Sequence, residues 1–267
     1  MTDSFQQRFG GTQRLYGTAA VELFQKANIC VIGIGGVGSW AAEALARSAI
    51  GTITLIDLDD ICITNTNRQI HAMDGSIGRS KVEVMAERIK LINPQCQVAE
   101  IEDFITRDNI PELIGPQFDY VIDCIDSVNE KTALIGFCKR FKIPIITVGG
   151  AGGQTDPTRI EIIDLSKTSH DPLAASVRSQ LRRIHGFSKS GRRFQVDCVY
   201  STEQLVYPQP DGSVCQQKQV EDGNTRLDCS GGFGASTCVT ATFGFVAVSR
   251  VLQKMLERAA RQASTSS

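Results

Sequence analysis

Gly33-Ile34-Gly35-Gly36-Val37-Gly38 follows the β-branched run NICVIGI that begins at Asn28 and precedes a helical pattern over Trp40 to Ser48. Glycines in this setting let the chain turn sharply. They also bring backbone N–H groups, at a helix N-terminus, close enough to hold phosphate oxygens. Asp57 ends the next strand, at the separation where a carboxylate accepts hydrogen bonds from ribose hydroxyls. The loop and the aspartate together predict a nucleotide-binding α/β fold.

The rest of the pattern agrees. Strands are expected in TITLIDL from Thr52, CQVAEIE from Cys96, DYVIDCI from Asp119 and IPIITVG from Ile143, with helices over Lys81 to Ile92 and Asn129 to Phe141 between them. Such alternation builds a Rossmann-like, mostly parallel sheet with flanking helices. Past Gly153 the rhythm changes: a strand, RIEIIDL, leads into a basic helix and a long polar stretch. Residues 1–153 read as a nucleotide-binding core and 154–267 as a smaller C-terminal lobe integrated with it. Within that lobe, Ser201 to Asp228 reads as a mobile crossover or lid, because long irregular segments in compact domains are usually functional or disordered. A chain of 267 residues is large enough for this single-core plan.

The N-terminus lacks a basic start and an apolar stretch, so a cytoplasmic protein is expected, with its nine cysteines reduced. Cys229 to Ser249 carries no charge but is too rich in Gly, Ser and Thr for a membrane span, and is read as a buried loop leading into a helix. The net charge of -1 leaves no bulk basicity to suggest nucleic acid.

The bound nucleotide need not be a dinucleotide. His71, His170 and His185 are the only histidines, and none stands in a hydride-transfer context. After Asp57 come Asp59 and Asp60, then Asn65, Arg68 and Gln69, then Lys81 opening a helix. An acidic cluster with one Arg and one Lys suits a triphosphate with a metal. Arg offers a planar fork and Lys a compact charge for the α-phosphate and the leaving pyrophosphate.

The segments GIGGVGS, DLDDICITNTNRQ, the Lys81 helix running into INP, and DCIDSVNEKTAL resemble the ubiquitin-activating-enzyme-type adenylating family, over roughly residues 5 to 153 and in that family's order. The resemblance implies ATP and Mg²⁺ as cofactors. It places Gly33, Gly35, Gly36, Gly38, Asp57, Asp59, Asn65, Arg68, Gln69 and Lys81 about the nucleotide, with Arg68, Lys81 and Asp126 catalytic and Asp126 the metal ligand. Beyond the end of the fourth strand is where ligands of open sheets sit, and one carboxylate with phosphate oxygens suffices for Mg²⁺. Asp126 could otherwise cap the helix near Asn129, and Asp123, alternating within the strand, is the weaker metal candidate.

Two features depart from the carrier-activating members. The CxxC pairs that bind structural zinc there have no counterpart here, so no zinc is expected. The arginine that relatives send into a neighbouring subunit's site is also missing from its usual place after Arg8-Phe9, and Arg14 is the nearest substitute. RFGGTQRLYG, GGAGGQTDPTRIEIIDLSKTSHDPL and LDCSGGFGASTCVTATFGF resemble instead the zinc-less branch that acts on tRNA. That implies activation by ATP of the carboxylate of a threonylcarbamoyl group on an anticodon-loop adenosine, followed by ring closure, in a homodimer. Positioning and electrostatics would carry such a reaction without an acid–base triad.

A landing surface for tRNA is expected in Arg178, Arg182, Arg183, His185, Lys189, Arg192 and Arg193; its alternative is a solvated helix face. Phe187 and Phe194 read as packing residues more than as platforms for bases. Cys198, Cys215, Cys229 and Cys238, in or beside the crossover, leave acyl transfer to a thiolate open. Two further readings stay open: adenylation of a small sulfur-carrier protein, with a sulfur-transfer partner, and nucleotide-regulated tRNA binding without turnover.

Overall fold

Runs buried on both faces, such as VI in the first strand and LI in the second, need helices above and below them, and the computed structural model supplies both layers. It describes residues 3–216 and 233–265. In chain order, α1 (Asp3–Tyr16), α2 (Thr18–Lys26), β1 (Asn28–Ile32), α3 (Gly38–Arg47) and β2 (Thr52–Ile56) lead into α4 (Lys81–Ile92) and β3 (Gln97–Ile101). The single-turn α5 (Ile110–Leu113), β4 (Tyr120–Asp123), α6 (Val128–Phe141), β5 (Ile145–Val148) and β6 (Ile160–Asp164) follow. Then come α7 (Pro172–Ile184), β7 (Asp197–Ser201), the short pair β8 (Tyr207–Pro208) and β9 (Val214–Cys215), and α8 (Thr237–Thr265).

The main sheet has seven strands in the order β3-β2-β1-β4-β5-β7-β6, and only β6 runs antiparallel, to β7. This is the Rossmann-like, mostly parallel α/β architecture that the alternation predicts. β3, at the edge, is only partly covered and points Glu100 to solvent, which blunts the edge against pairing with another chain. One face of the sheet is covered by α3, α4 and α8, whose Ala41, Leu45, Met85, Phe243, Val251 and Leu252 are buried at helical spacing. The other face is covered by α6 and α7 through Leu134, Ile135, Cys138, Val177 and Leu181.

Residues from 154 onward add β6 and β7 to this same sheet, and α8 lies along α3. β7 is a strand that the sequence pattern did not mark. Its apolar residues Cys198, Val199 and Tyr200 are buried between β5 and β6, but polar neighbours on either side hide the run. The suspected crossover lies partly outside the described residues, as does Cys229; its described beginning includes the β8–β9 pair. From the charge-free stretch, the described part is a short loop leading into α8, and among the described residues no helix is long and apolar enough to cross a membrane.

The strand order reverses between β1 and β4, each of which begins a separate run outward across the sheet. At such a point the connections leave in opposite directions and open a crevice beyond the carboxyl ends. That crevice is the cavity described next.

Candidate active site

The turn after β1 needs glycine at two places. Gly33 has φ +84°, and a Cβ there would lie 2.9 Å from the Cys124 carbonyl oxygen, while one on Gly38 would lie 1.8 Å from the Gly33 oxygen. This close backbone packing lets α3 start directly behind the loop. Gly35 and Gly36 instead line a cavity of about 1120 Å³ with Asp57, Asp59, Asn65, Arg68, Gln69, Lys81 and Asp126. The structure therefore brings every nucleotide-side residue expected from the sequence, apart from Gly38, onto one surface.

Asp57 is the hub. Its Oδ2 accepts from the Ile34 N–H at 2.6 Å and its Oδ1 from the Asp59 N–H at 2.9 Å, so the carboxylate ties the glycine loop to the end of β2. Burial pushes its carboxyl up, opposed by the nearby Lys81 ammonium and by those two N–H groups. Lys81, itself only 5% exposed, donates to Asp59 Oδ2 at 2.6 Å and stands 3.7 Å from Asp57 Oδ1. The helix carrying Lys81 is fixed to the helix behind the loop by Glu43 of α3, which accepts from Arg88 of α4 at 2.6 Å.

Arg68 is set by its backbone. Its carbonyl accepts from Trp40 Nε1 at 3.0 Å and from Thr240 Oγ1 at 3.4 Å, while Asn67 donates to the Ala235 carbonyl at 3.1 Å. The arginine segment is thus clamped between α3 and the start of α8. Asn65 Oδ1 accepts from the Cys62 N–H at 2.9 Å and shapes the turn, and Gln69 is buried with Oε1 lacking a partner among the described residues. His71 Nε2 meets the Ile34 carbonyl at 2.9 Å, and burial lowers its pKa to about 4, so it braces the loop as a neutral ring.

The two aspartates of the β4 segment have separate fates. Asp123 is fully buried, taking Thr147 Oγ1 at 2.7 Å, the Ile125 N–H at 3.1 Å and the Lys131 ammonium at 3.0 Å. Asp126 is exposed in the cavity beside the glycine loop. A cation shared with phosphate oxygens needs an accessible carboxylate of that kind, so the residues present fit Mg²⁺ through Asp126. Among the described residues no group of three His, Cys, Asp or Glu converges into a protein-only metal cage.

Arg14 lies on α1, exposed, and does not line the cavity of its own chain. On the second face, the basic residues divide. Arg178 is half-buried and donates to Thr168 Oγ1, and Arg182 sits 5.3 Å from the centre of the Phe194 ring and donates to the Ser188 carbonyl at 3.3 Å. Phe194 is buried and meets Phe187 edge-on at 4.9 Å, which fits the packing reading of both rings. Arg183, His185, Lys189, Arg192 and Arg193 face solvent. Sequence reasoning missed Lys139, whose ammonium donates to the Gln195 carbonyl at 3.3 Å and brings the end of α6 beside this patch.

It also missed Cys62, Phe104, Glu130, Gln154, Asp171 and Phe233 as cavity-lining residues. Of these, only Gln154 carried a usable signal, because it stands in the segment after β5, where the sheet rule already places ligands. Among the cysteines, Cys198 is fully buried and its thiol is pushed well up by burial, which removes it as a nucleophile. Cys215 is half-buried and Cys238 exposed.

Comparison with known proteins converges on one group. The ThiF family model matches residues 11–266. A protein of Escherichia coli (strain K12) named tRNA threonylcarbamoyladenosine dehydratase is 59% identical over 98% of this chain and 98% of its own length. A relative of the same name from Bacillus subtilis (strain 168) is 40% identical over 76% of this chain and 78% of its own. Among solved structures, TcdA (CsdL) superposes with a TM-score of 0.90 at 58% identity, covering 97% of this chain and 98% of that one. The E. coli TcdA complex with ATP gives 0.88 at 56% identity, covering 98% of each chain.

Proposed function

The chain belongs to the ThiF family, and from that membership we propose that it is an ATP-dependent enzyme that dehydrates threonylcarbamoyladenosine in tRNA through a carboxyl-adenylate. The observation that carries the proposal is the open glycine loop flanked by the Asp57–Lys81–Asp59 cluster, with the accessible Asp126 in the same cavity. A carboxylate is a poor acyl donor because oxide cannot leave. Its attack on the α-phosphate forms a C–O–P bond and releases pyrophosphate. A nucleophile within the substrate then attacks the activated carbonyl, the C–O bond to AMP breaks, and the nucleophile loses its proton. The net change in the nucleoside is the loss of one water.

In this reading the N–H groups of the glycine loop hold phosphate oxygens, Asp57 accepts from the ribose hydroxyls, and Asn65 and Gln69 border the phosphates. Arg68 and Lys81 stabilise the charge that builds on the α-phosphate and pyrophosphate, and substrate entry would draw Lys81 away from Asp59. Asp126 would hold Mg²⁺, which neutralises phosphate charge when bound. No proton-transfer triad is needed, since positioned reactants and fixed charges supply the acceleration.

The same reading gives the 154–267 part its task. α7 begins at the cavity, where Pro172 is part of the lining, and ends at the exposed basic residues. Its length of about 20 Å separates the two, so the modified nucleotide can enter the cavity while Arg183, Lys189, Arg192 and Arg193 neutralise phosphates of the flanking stem. Arg178 and Arg182 support this surface from behind. A homodimer would cover the exposed Leu58, Ile63, Met73 and Ile77 between β2 and α4 and could bring Arg14 to a neighbour's cavity. Incubating the protein with ATP, Mg²⁺ and modified tRNA, then digesting and weighing the nucleosides, tests the proposal. A nucleoside lighter by one water supports it, and an unchanged one defeats it.

A further inference from the structure

The cavity extends past the glycine loop to the segment after β5, and its far end has a separate construction. Its volume of about 1120 Å³ exceeds the roughly 300–1,000 Å³ that usually encloses a single small ligand. Asp57 follows β2, the glycine loop follows β1, Asp126 follows β4 and the Gly149–Gln154 segment follows β5, and these strands are neighbours in the order β2-β1-β4-β5. The cavity therefore runs from ribose, past phosphates, to the β5 wall. With strands about 4.8 Å apart, that wall stands about 10 Å from the glycine loop, within reach of an acyl group joined to the α-phosphate.

Glycine main chain and the buried Gln154 amide form this wall together with the apolar side chains of Leu173, Leu205 and Phe233. A Cβ on Gly149 would fall 1.8 Å from Asp171 Oδ2, so the backbone lies directly against that carboxylate. Asp171 is fully employed: Oδ2 accepts from the Gly150 N–H at 3.0 Å and Oδ1 from the Ala174 N–H at 2.9 Å, fixing the wall to the start of α7. Gln154, only 3% exposed and part of the lining, donates through Nε2 to the Gly150 carbonyl at 3.0 Å. Its Oε1 is buried without a partner among the described residues. Reversing the amide would set two oxygens against each other at Gly150, so the unused atom is an acceptor. A buried acceptor left unmade is costly, and of the buried side-chain atoms without a partner among the described residues, those of Gln69 and Gln154 are the ones on residues that line the cavity.

We propose that the end of the cavity walled by Gly149–Gln154 is the threonylcarbamoyl subsite, and that Gln154 Oε1 accepts a hydrogen bond from an N–H or the O–H of that group. The inference rests on the dehydratase reading and adds the contact that orients the carboxylate toward the α-phosphate. The group suits the site chemically: it carries ureido N–H donors and a hydroxyl beside the reacting carboxylate. A neutral acceptor can bind those donors without repelling the carboxylate, which a glutamate here would do.

The test is steady-state dehydration of modified tRNA by the full-length protein and by Gln154→Met, which keeps the side-chain length and removes the acceptor together with the Nε2 bond to Gly150, with ATP affinity measured on both by titration. The expected result is a KM for modified tRNA raised about tenfold or more with ATP affinity unchanged. A KM equal to that of the unsubstituted protein overturns the inference, as does loss of ATP affinity together with activity, which would make Gln154 a brace of the whole cavity. Gly150→Ala is the second variant, since its Cβ would meet nothing nearer than Asp171 Oδ1 at 3.8 Å and should fold normally. It should raise the same KM severalfold by narrowing the subsite, and an unchanged KM counts against the assignment. If the unsubstituted protein leaves modified tRNA intact, the dehydratase reading itself has failed. If it turns over and both variants match it, only the subsite has.

Discussion

At the nucleotide end of the cavity Lys81 and Asp57 are buried and already paired, Lys81 against Asp59 and Asp57 against backbone N–H groups. At the far end of α7, Arg183, Lys189, Arg192 and Arg193 stand in solvent. Under the proposed function the contrast corresponds to two kinds of recognition. Charge that builds during a reaction is best met by groups held in place beforehand, because their reorganisation has been completed during folding. Phosphates along a nucleic-acid stem can be neutralised by mobile cations, each of which releases counterions without demanding a fixed geometry. The first end should therefore respond to single substitutions steeply, and the second gradually.

The steepest response is expected from Asp126→Ala and Lys81→Ala. Each should lower the rate of pyrophosphate exchange by about 10²–10³-fold, as removal of a preorganised charge-stabilising group does elsewhere, and a loss of only severalfold would erase the contrast. Second is a pH effect centred on the nucleotide end. His71 is held at about 4 against an ordinary 6.5, so between those values the unfolded chain binds a proton that the folded protein refuses. Stability is then complete above pH 6.5 and is lost as pH falls toward 4, by about 3 kcal/mol at most. Denaturant titrations at pH 7 and pH 4.5 should show this fall, and His71→Gln should reduce it.

Smaller effects are expected on the basic face. Alanine at Arg183, Lys189, Arg192 or Arg193 should each weaken tRNA binding severalfold and lower the salt dependence by about one unit of slope, with ATP affinity unchanged. Filter binding across a salt series measures both quantities. A single substitution there that abolishes binding would mean that the surface is as preorganised as the cavity. The smallest effect belongs to Cys198→Ala. It should leave turnover intact, because the buried thiol with its raised pKa is a packing residue, and loss of dehydration with normal folding would reinstate a thiol mechanism.

The same contrast explains what could be read from the sequence. Gly33 and Gly38 are legible because backbone contacts of 2.9 Å and 1.8 Å to a would-be Cβ leave glycine as the residue that fits. Asp57 and Lys81 are legible because strand and helix boundaries fix where they must lie. The basic patch is visible only as composition. Nothing in the spacing reveals that Arg182 is covered by Phe194 while Arg183 is free of it, or that Lys139 joins from another helix. β7 was hidden because its apolar residues are flanked by polar ones and become strand-like only between β5 and β6. Gln154 was legible only as a position after β5, for a related reason: the significance of its side chain comes from burial and an unused acceptor, which are properties of the packed wall.

The most direct test of the central claim is ATP–pyrophosphate exchange measured with tRNA that carries threonylcarbamoyladenosine and with the same tRNA lacking it. Adenylation of the threonylcarbamoyl carboxylate predicts rapid exchange with the modified tRNA and none above background with the other. Equal exchange with both, or exchange with neither, would contradict it.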